Sequence, residues 1–199
     1  SAAVYSGRVS HVLDVFGMKS DKQFVNTLED IIRDRGAPTR LLSDHAITLR
    51  SSRVLDVLRA LCIGNWTSEP HRPTQNVMER RYQTLKRITN LLLDRSGCPA
   101  SCWLLCMQYT ALVLNCTACK SLGWTIPLQV LLGVTIDVSP LLRFHWYQPV
   151  LYHVDDVTFP SESSEALGYF VGVATHCGHA MTFKVLSDTS QRVIIRSQV

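Results

Sequence analysis

Short apolar runs alternate with helical stripes along the first half of the chain. Residues 2–6 and 9–16 are β-rich runs separated by Gly7, with Val12, Leu13 and Val15 giving the second its apolar character; together they predict a hairpin. Phe24, Leu28, Ile31 and Ile32 then recur at helical spacing. Ser20 and Gln23 form a candidate capping box ahead of them, and Gly36 with Pro38 supplies the stop. Leu41 and Leu42 form a brief strand ending at Asp44. Ser51 and Ser52 start a second helix, whose apolar positions are Val54, Leu55, Leu58 and Leu61. Residues 62–66 are the next strand candidate, and Pro70 and Pro73 enforce an extended loop after it. A long periodic segment follows over 77–93, with Glu79 in its first turn. Gly97 and Pro99 break it ahead of an apolar helix over 103–115.

The order strand, strand, helix, strand, helix, strand, helix, helix predicts an α/β layered domain. After Gly123 the texture changes to β-rich runs at 149–154, 168–174, 180–186 and 193–196. Turn residues at Asp155-Asp156, Cys177-Gly178 and Asp188-Thr189-Ser190 separate them, the spacing of a small all-β barrel. A boundary near Leu141 divides the chain into residues 1–140 and 141–199. There is no internal repeat.

Composition narrows the class. With 46% hydrophobic and 18% charged residues the 199-residue chain is neither a disordered tail nor a coiled coil. Twenty Lys and Arg against sixteen Asp and Glu give a formal charge of +4, which permits a polyanionic partner without requiring one. Seven cysteines at irregular spacing fit free thiols in a reducing, intracellular compartment rather than a secreted framework. Cys98, Cys102 and Cys106 are four apart and would share a helical face as small apolar residues. Cys116 and Cys119 lack a second pair at zinc spacing, so packing is the favoured reading, as it is for the turn holding His176, Cys177 and His179. The most apolar stretch, 102–114, contains Gln108 and is shorter than the ~20 residues of a spanning helix; a core helix and no membrane partner are expected. The chain opens on Ser1 already in a strand, as if beginning inside a larger domain.

The strongest chemical signal is the run Ser68-Glu69-Pro70-His71-Arg72-Pro73-Thr74-Gln75-Asn76-Val77-Met78-Glu79-Arg80. Taken singly, an Asp after a strand is ordinarily a turn residue, and a Glu in a first helical turn is ordinarily a partner of the helix dipole. The two motifs in order, with 34 residues between Asp44 and Glu79, are far more specific than either alone. The run resembles the signature of retroviral and retrotransposon integrases, in which a Ser-x-Pro-x-x-Pro-x-x-Asn loop leads into a helix bearing the catalytic glutamate and then Arg or Lys. Leu41-Leu42-Ser43-Asp44 resembles the strand end carrying that family's second aspartate. Residues 99–115 with Trp103 and Asn115, Ile126-Pro127-Leu128, and Leu141 to Phe144 are similar to segments of copia-type integrases. The stretch from Leu167-Gly168-Tyr169-Phe170-Val171-Gly172 to Val199 is similar to the small Src-homology-3-type domain after their cores.

That resemblance, which covers almost the whole chain, implies a ribonuclease H-like mixed sheet with flanking helices, truncated at its first strand, followed by a small β-barrel. It implies DNA integration: metal-dependent transfer of a DNA 3′-hydroxyl onto a target phosphodiester. Asp44 and Glu79 would be catalytic residues and ligands of Mg²⁺ or Mn²⁺. Paired carboxylates suit this chemistry because two Mg²⁺ about 3.5–4 Å apart clamp the attacking and leaving oxygens and prefer hard oxygen ligands. The family's first aspartate has no counterpart: Asp14 sits on a later strand, so the chain as given is expected to be inactive. The spacing is one residue short of the family's because a glycine is missing after Asn76, and His45 follows Asp44 where the family has Asn-Gly or a similar flexible pair.

Arg80, Arg81, Lys86 and Arg87 on the glutamate helix, with His71 and Asn76 before it, are the expected DNA contacts; Trp66 and His71 offer rings for base stacking, but a tryptophan in a strand is more often core, and the core is the expectation for Trp66. The implied partners are DNA and further copies of the chain, with no small-molecule substrate, in the nucleus or a cytoplasmic particle. The alternative is a catalytically dead nucleic-acid-binding or assembly module from a transposable element's polyprotein.

Overall fold

The computed structural model describes residues 1–43, 51–67, 77–154 and 163–199, without the side chains of Thr67 and Val77. They form two compact units, Ser1–Leu85 and Lys86–Val199. The division falls inside one helix, Val77–Ser96.

In the first unit, strands β1 (Ala2–Ser6) and β2 (Leu13–Gly17) form the expected antiparallel hairpin, with Ser6 opposite Leu13. The second strand starts later than residue 9. A turn consumes 7–12: Gly7 N donates to Val12 O at 2.9 Å, His11 N donates to Gly7 O at 3.0 Å, and His11 takes φ +62°. Val9 is left in solvent, since its neighbours Ser10 and His11 close the turn. Helix α1 (Phe24–Arg35) begins through a 3-10 turn, Asp21–Gln23. The capping box is only half formed: Gln23 Oε1 accepts from Lys19 N at 2.8 Å, one residue early, and the Ser20 hydroxyl makes no cap bond. Gly36 at φ +86° ends the helix, a conformation open to glycine without a Cβ clash.

Strand β3 (Arg40–Ser43) runs through helix α2 (Ser52–Ala60) to strand β4 (Gly64–Thr67), a parallel pair with Leu42 opposite Trp66. Val25 and Leu28 of α1, Val54 and Leu58 of α2, and Ile63 make the buried core, flanked by Tyr5 and Leu41. Leu13 and Val15, which the register places on the opposite face of the hairpin from Tyr5, are buried as well. Tyr5 also bonds Thr27 Oγ1 at 2.9 Å, and burial pushes its hydroxyl up to about 12. Among the described residues the strands of this unit form two two-stranded sheets.

The second unit takes the rest of α3 (Val77–Ser96), then α4 (Trp103–Asn115), the short α5 (Pro127–Leu132) and four strands: β5 (Pro149–His153), β6 (Glu165–Val173), β7 (Phe183–Ser187) and β8 (Val193–Arg196). The four runs read from the sequence are all strands. The barrel expected of them is not closed among the described residues. They pair in the order β5-β6-β7-β8 as an antiparallel meander. Among the described residues, the ends of its first and last strands are joined where His153 N donates to Gln198 O at 3.4 Å and Arg196 Nε donates to His153 O at 3.2 Å. The physical reason lies in what covers one face of the sheet: Cys106 and Tyr109 of α4 and Trp146 share a core with Phe170, Phe183 and Val185. A helix fills the place that a closed barrel gives to its own opposite wall.

Cys98, Cys102 and Cys106 are all buried there, although only Cys106 belongs to α4. Burial, with Cys102 nearby, pushes the Cys98 thiol up to about 12, and burial pushes Cys106 up to about 11, so both behave as small apolar groups. Cys62 and Cys177 are exposed.

Gly168 marks the closest approach in this sheet. A Cβ there would lie 2.5 Å from Val185 Cγ1 and 2.9 Å from Leu186 O, with Tyr152 Cε1 at 3.2 Å. Gly168→Ala is expected to destabilise the protein by about 1–3 kcal/mol through overpacking against backbone. Thermal melts check this; an unchanged melting temperature would contradict the close approach.

Candidate functional site

Asp44, the loop residues His71 and Asn76, and the whole stretch 68–76 lie outside the described residues, as do Asp155 and Asp156. What is described is the frame on either side. Parallel strands β3 and β4 end side by side, Ser43 opposite Thr67, so the chain leaves both at the same sheet end. Asp44 follows the first and the motif loop follows the second. Carboxyl ends of parallel strands are where open α/β sheets assemble their sites.

The loop returns at α3, and Glu79 is exposed in its first turn, where the helix dipole favours a carboxylate. Gln83, one turn on, donates to Glu79 Oε1 at 3.5 Å. Helix α3 carries five cations, Arg80, Arg81, Lys86, Arg87 and Arg95, against two carboxylates, Glu79 and Asp94, and so concentrates most of the chain's net charge. Arg80, Lys86 and Arg87 are exposed. Arg81 differs: it is half-buried with its Nε shielded from solvent, on the same line of the helix as buried Leu85 and Thr89.

The Arg81 charge is felt at His11 of the hairpin turn, whose imidazole is held below its ordinary value, first by burial and then by that guanidinium. The folded state therefore prefers neutral His11. As pH falls, the unfolded chain takes up this proton first, near its ordinary value of about 6.5, so stability declines between there and the lower folded value and levels off below. The expected result is a larger loss of melting temperature from about pH 7.5 to 5.5 in the native chain than in His11→Asn. Asparagine tolerates the positive φ at this position. Equal losses in both would remove His11 from the account.

Asp14 forms a two-point ion pair with Arg35, Nη2 to Oδ1 at 2.8 Å and Nε to Oδ2 at 3.2 Å, and the bond to Asp14 raises the Arg35 value. A carboxylate so engaged ties β2 to α1, in keeping with its omission from the site.

Trp66 corrects the sequence expectation. It is 55% exposed rather than in the core, with the Arg40 guanidinium 4.9 Å from its ring centroid. The sequence shows a strand there but not which of its faces α1 and α2 cover, so this pair was not foreseen.

The donors proposed for a cation, Asp44 and Glu79, are carboxylates only, and that fits a hard ion such as Mg²⁺ rather than zinc. Among the described residues no group of three or more His, Cys, Asp or Glu could hold a metal ion. Nor is any described helix long and apolar enough to cross a membrane.

No protein-family model and no curated protein matches the sequence. Solved structures do. The HTLV-2 integrase catalytic core domain in complex with magnesium, in its trimeric form, superposes with a TM-score of 0.53 at 14% identity, covering 66% of this chain and 92% of that one. The BIV integrase catalytic core gives 0.52 at 20% identity, over 65% of this chain and 84% of that one. A chain of the simian T-cell lymphotropic virus intasome, solved with the PP2A regulatory subunit B56 gamma, gives 0.51 at 15% identity, over 97% of this chain and 70% of that one. At such identities the likeness speaks for the fold alone: this chain has the mixed α/β, ribonuclease H-like fold of retroviral integrase catalytic cores.

Proposed function

We propose that the chain is part of a copia-type retrotransposon integrase whose chemistry is transfer of a DNA 3′-hydroxyl onto a target phosphodiester. The observation that carries this reading is the exposed Glu79 in the first turn of a strongly cationic helix, on the fold of integrase cores. Support comes also from the neighbours, one core being in complex with magnesium and another chain standing in an intasome. Asp44 and Glu79 would hold Mg²⁺ or Mn²⁺. Such an ion, when bound, polarises the phosphoryl group and stabilises charge on the attacking and leaving oxygens. Arg80, Lys86 and Arg87 hold the DNA phosphates in register, with His71 and Asn76 of the loop contributing contacts. Residues 1–140 make the core in this reading and 141–199 a Src-homology-3-like appendage; the protein works as an oligomer on DNA, in the nucleus or a cytoplasmic particle.

A site of this kind needs a third carboxylate, which the resemblance puts on a strand that these residues do not contain. The two-sheet arrangement favours a place for that strand between β1 and β3. Ser1 and Met18 exchange hydrogen bonds, as do alternate residues along the hairpin, so Ala2, Val4 and Ser6 turn their backbone groups to the opposite edge. On β3 the bond from Gly64 N to Thr39 O puts Arg40 and Leu42 in the same situation. Tyr5 of β1 and Leu41 of β3 flank one core. The 199 residues alone are accordingly proposed to be inactive.

The test is strand transfer on labelled DNA with Mg²⁺ or Mn²⁺, comparing this chain with a form extended at its amino end by one aspartate-bearing strand. Transfer by the extended form alone supports the reading. No transfer by either form, with salt-dependent DNA binding intact, favours the second reading, a nucleic-acid-binding module, for which the cations of α3 are the specific observation.

A further inference from the structure

We infer that the outward face of the β3–β4 pair is a stacking platform for an unpaired DNA base, with Trp66 as its floor and Arg40 as its cation. This rests on the reading of the chain as a DNA-processing protein and adds to it a subsite outside the carboxylates and the α3 cations. The face is read from the parallel register: Arg40 lies opposite Gly64 and Leu42 opposite Trp66, while Leu41 turns to the α1–α2 core. Its large side chains are thus one cation, one aliphatic group and one indole, with Leu42 45% and Trp66 55% exposed. Gly64 presents no side chain between Arg40 and the indole, so the guanidinium reaches diagonally across the strands to sit 4.9 Å from the ring centroid. An exposed contact of that kind is weak and readily exchanged.

Three features choose the occupant. An indole with a mobile guanidinium above it offers two flat π surfaces and one positive charge, the chemistry that accepts a base and its phosphate together. Charge is complementary, since the platform adds Arg40 to a chain already at +4. Position is suitable as well: Leu42 and Trp66 stand one residue before the ends of their strands, and Asp44 and the motif loop follow Ser43 and Thr67 directly in sequence. A strand whose end base is unstacked onto Trp66 would present its neighbouring phosphodiester toward the residues that follow those strand ends. A paired base has both faces occupied by its stack, so the platform selects unpaired or frayed ends.

The test uses the full chain and a short oligothymidylate, followed by quenching of tryptophan fluorescence and by anisotropy of a labelled strand. Trp66→Ala is expected to weaken single-strand binding about tenfold or more, as loss of one stacked base does, with affinity for blunt duplex of equal length nearly unchanged. Trp66→Phe should restore most of the loss. Arg40→Gln should keep the quenching but reduce the slope of log affinity against log salt by about 1. Because Trp66 is exposed, melting temperatures of these variants should stay near the native one. Single-strand affinity within twofold of native in Trp66→Ala overturns the platform, as does a fall in oligomer mass with DNA affinity intact, which would make the face a protein contact. Strand transfer by the extended form separates the two ideas: transfer abolished by Glu79→Gln with Trp66→Ala silent sinks only the platform, whereas stacking lost in Trp66→Ala with transfer indifferent to Glu79→Gln sinks only the catalytic assignment.

Discussion

Glu79→Gln, made in the strand-extended form, is expected to reduce strand transfer by roughly a hundredfold or more while leaving folding and DNA binding in place. Stabilisation of developing phosphoryl charge through a bound cation is worth several kcal/mol, and each ~1.4 kcal/mol is a factor of ten in rate. The carboxamide keeps the shape of the side chain and removes the charge that holds the ion. Glu79 is exposed, and the carboxamide keeps an oxygen to accept from Gln83, which donates to Glu79 Oε1 at 3.5 Å. An unchanged melting temperature beside lost transfer is the informative combination. Transfer that survives the substitution would end the assignment of Glu79 as a ligand.

The second large effect concerns stability. Phe170→Ala should destabilise the protein by about 3–5 kcal/mol, the usual range for truncating a buried aromatic, and lower the melting temperature by roughly 10–20 °C. Phe170 is fully buried on β6 and meets three other rings: Phe144 at 5.5 Å, Tyr109 at 5.7 Å and Phe183 at 5.9 Å between centroids. All three approach it tilted or edge-on, from different parts of the chain, so a smaller side chain leaves a void that no single neighbour can fill. Its backbone is engaged as well, Phe170 N donating to Gln148 O at 2.9 Å and Tyr147 N donating to Phe170 O at 2.9 Å. Relative to a total stability of 5–15 kcal/mol typical of domains, the loss is a large fraction. Trp146, stacked on Tyr109 at 5.3 Å, supplies a fluorescence signal for denaturant titration. A midpoint shifted by less than the equivalent of about 1 kcal/mol would contradict the burial of this ring.

Much of this architecture was legible from spacing. Phe24, Leu28, Ile31 and Ile32 announced α1, and the runs around Phe170 and Val185 announced β6 and β7, because period and turn residues are local properties. What was not legible depended on distant partners. The late start of β2 follows from a turn closed by Gly7 and Val12 across the hairpin. The open sheet in place of a barrel follows from α4 packing on one face of it, which no strand pattern encodes. Trp66 looked like core because strands usually bury their aromatics; its exposure follows from helices covering only the Leu41 side. Among the cations of α3, charge alone suggested four equivalent DNA contacts, yet the line through Arg81, Leu85 and Thr89 turns Arg81 inward. Asp44, His71 and Asn76 rest on the motif and its resemblance, since they lie outside the described residues.

The distribution of thiols has a practical corollary. Cys98, Cys102 and Cys106 are shut in the core, with Cys98 and Cys106 held protonated well above neutral pH, whereas Cys62 and Cys177 stand in solvent, one in each compact unit. Electrophilic dyes react with accessible thiolate and leave buried thiols behind. Cys116 and Cys119 are half-buried, so with these two replaced by serine the chain carries a pair of labelling handles, and energy transfer between dyes on Cys62 and Cys177 would show whether the distance between them changes when DNA is added.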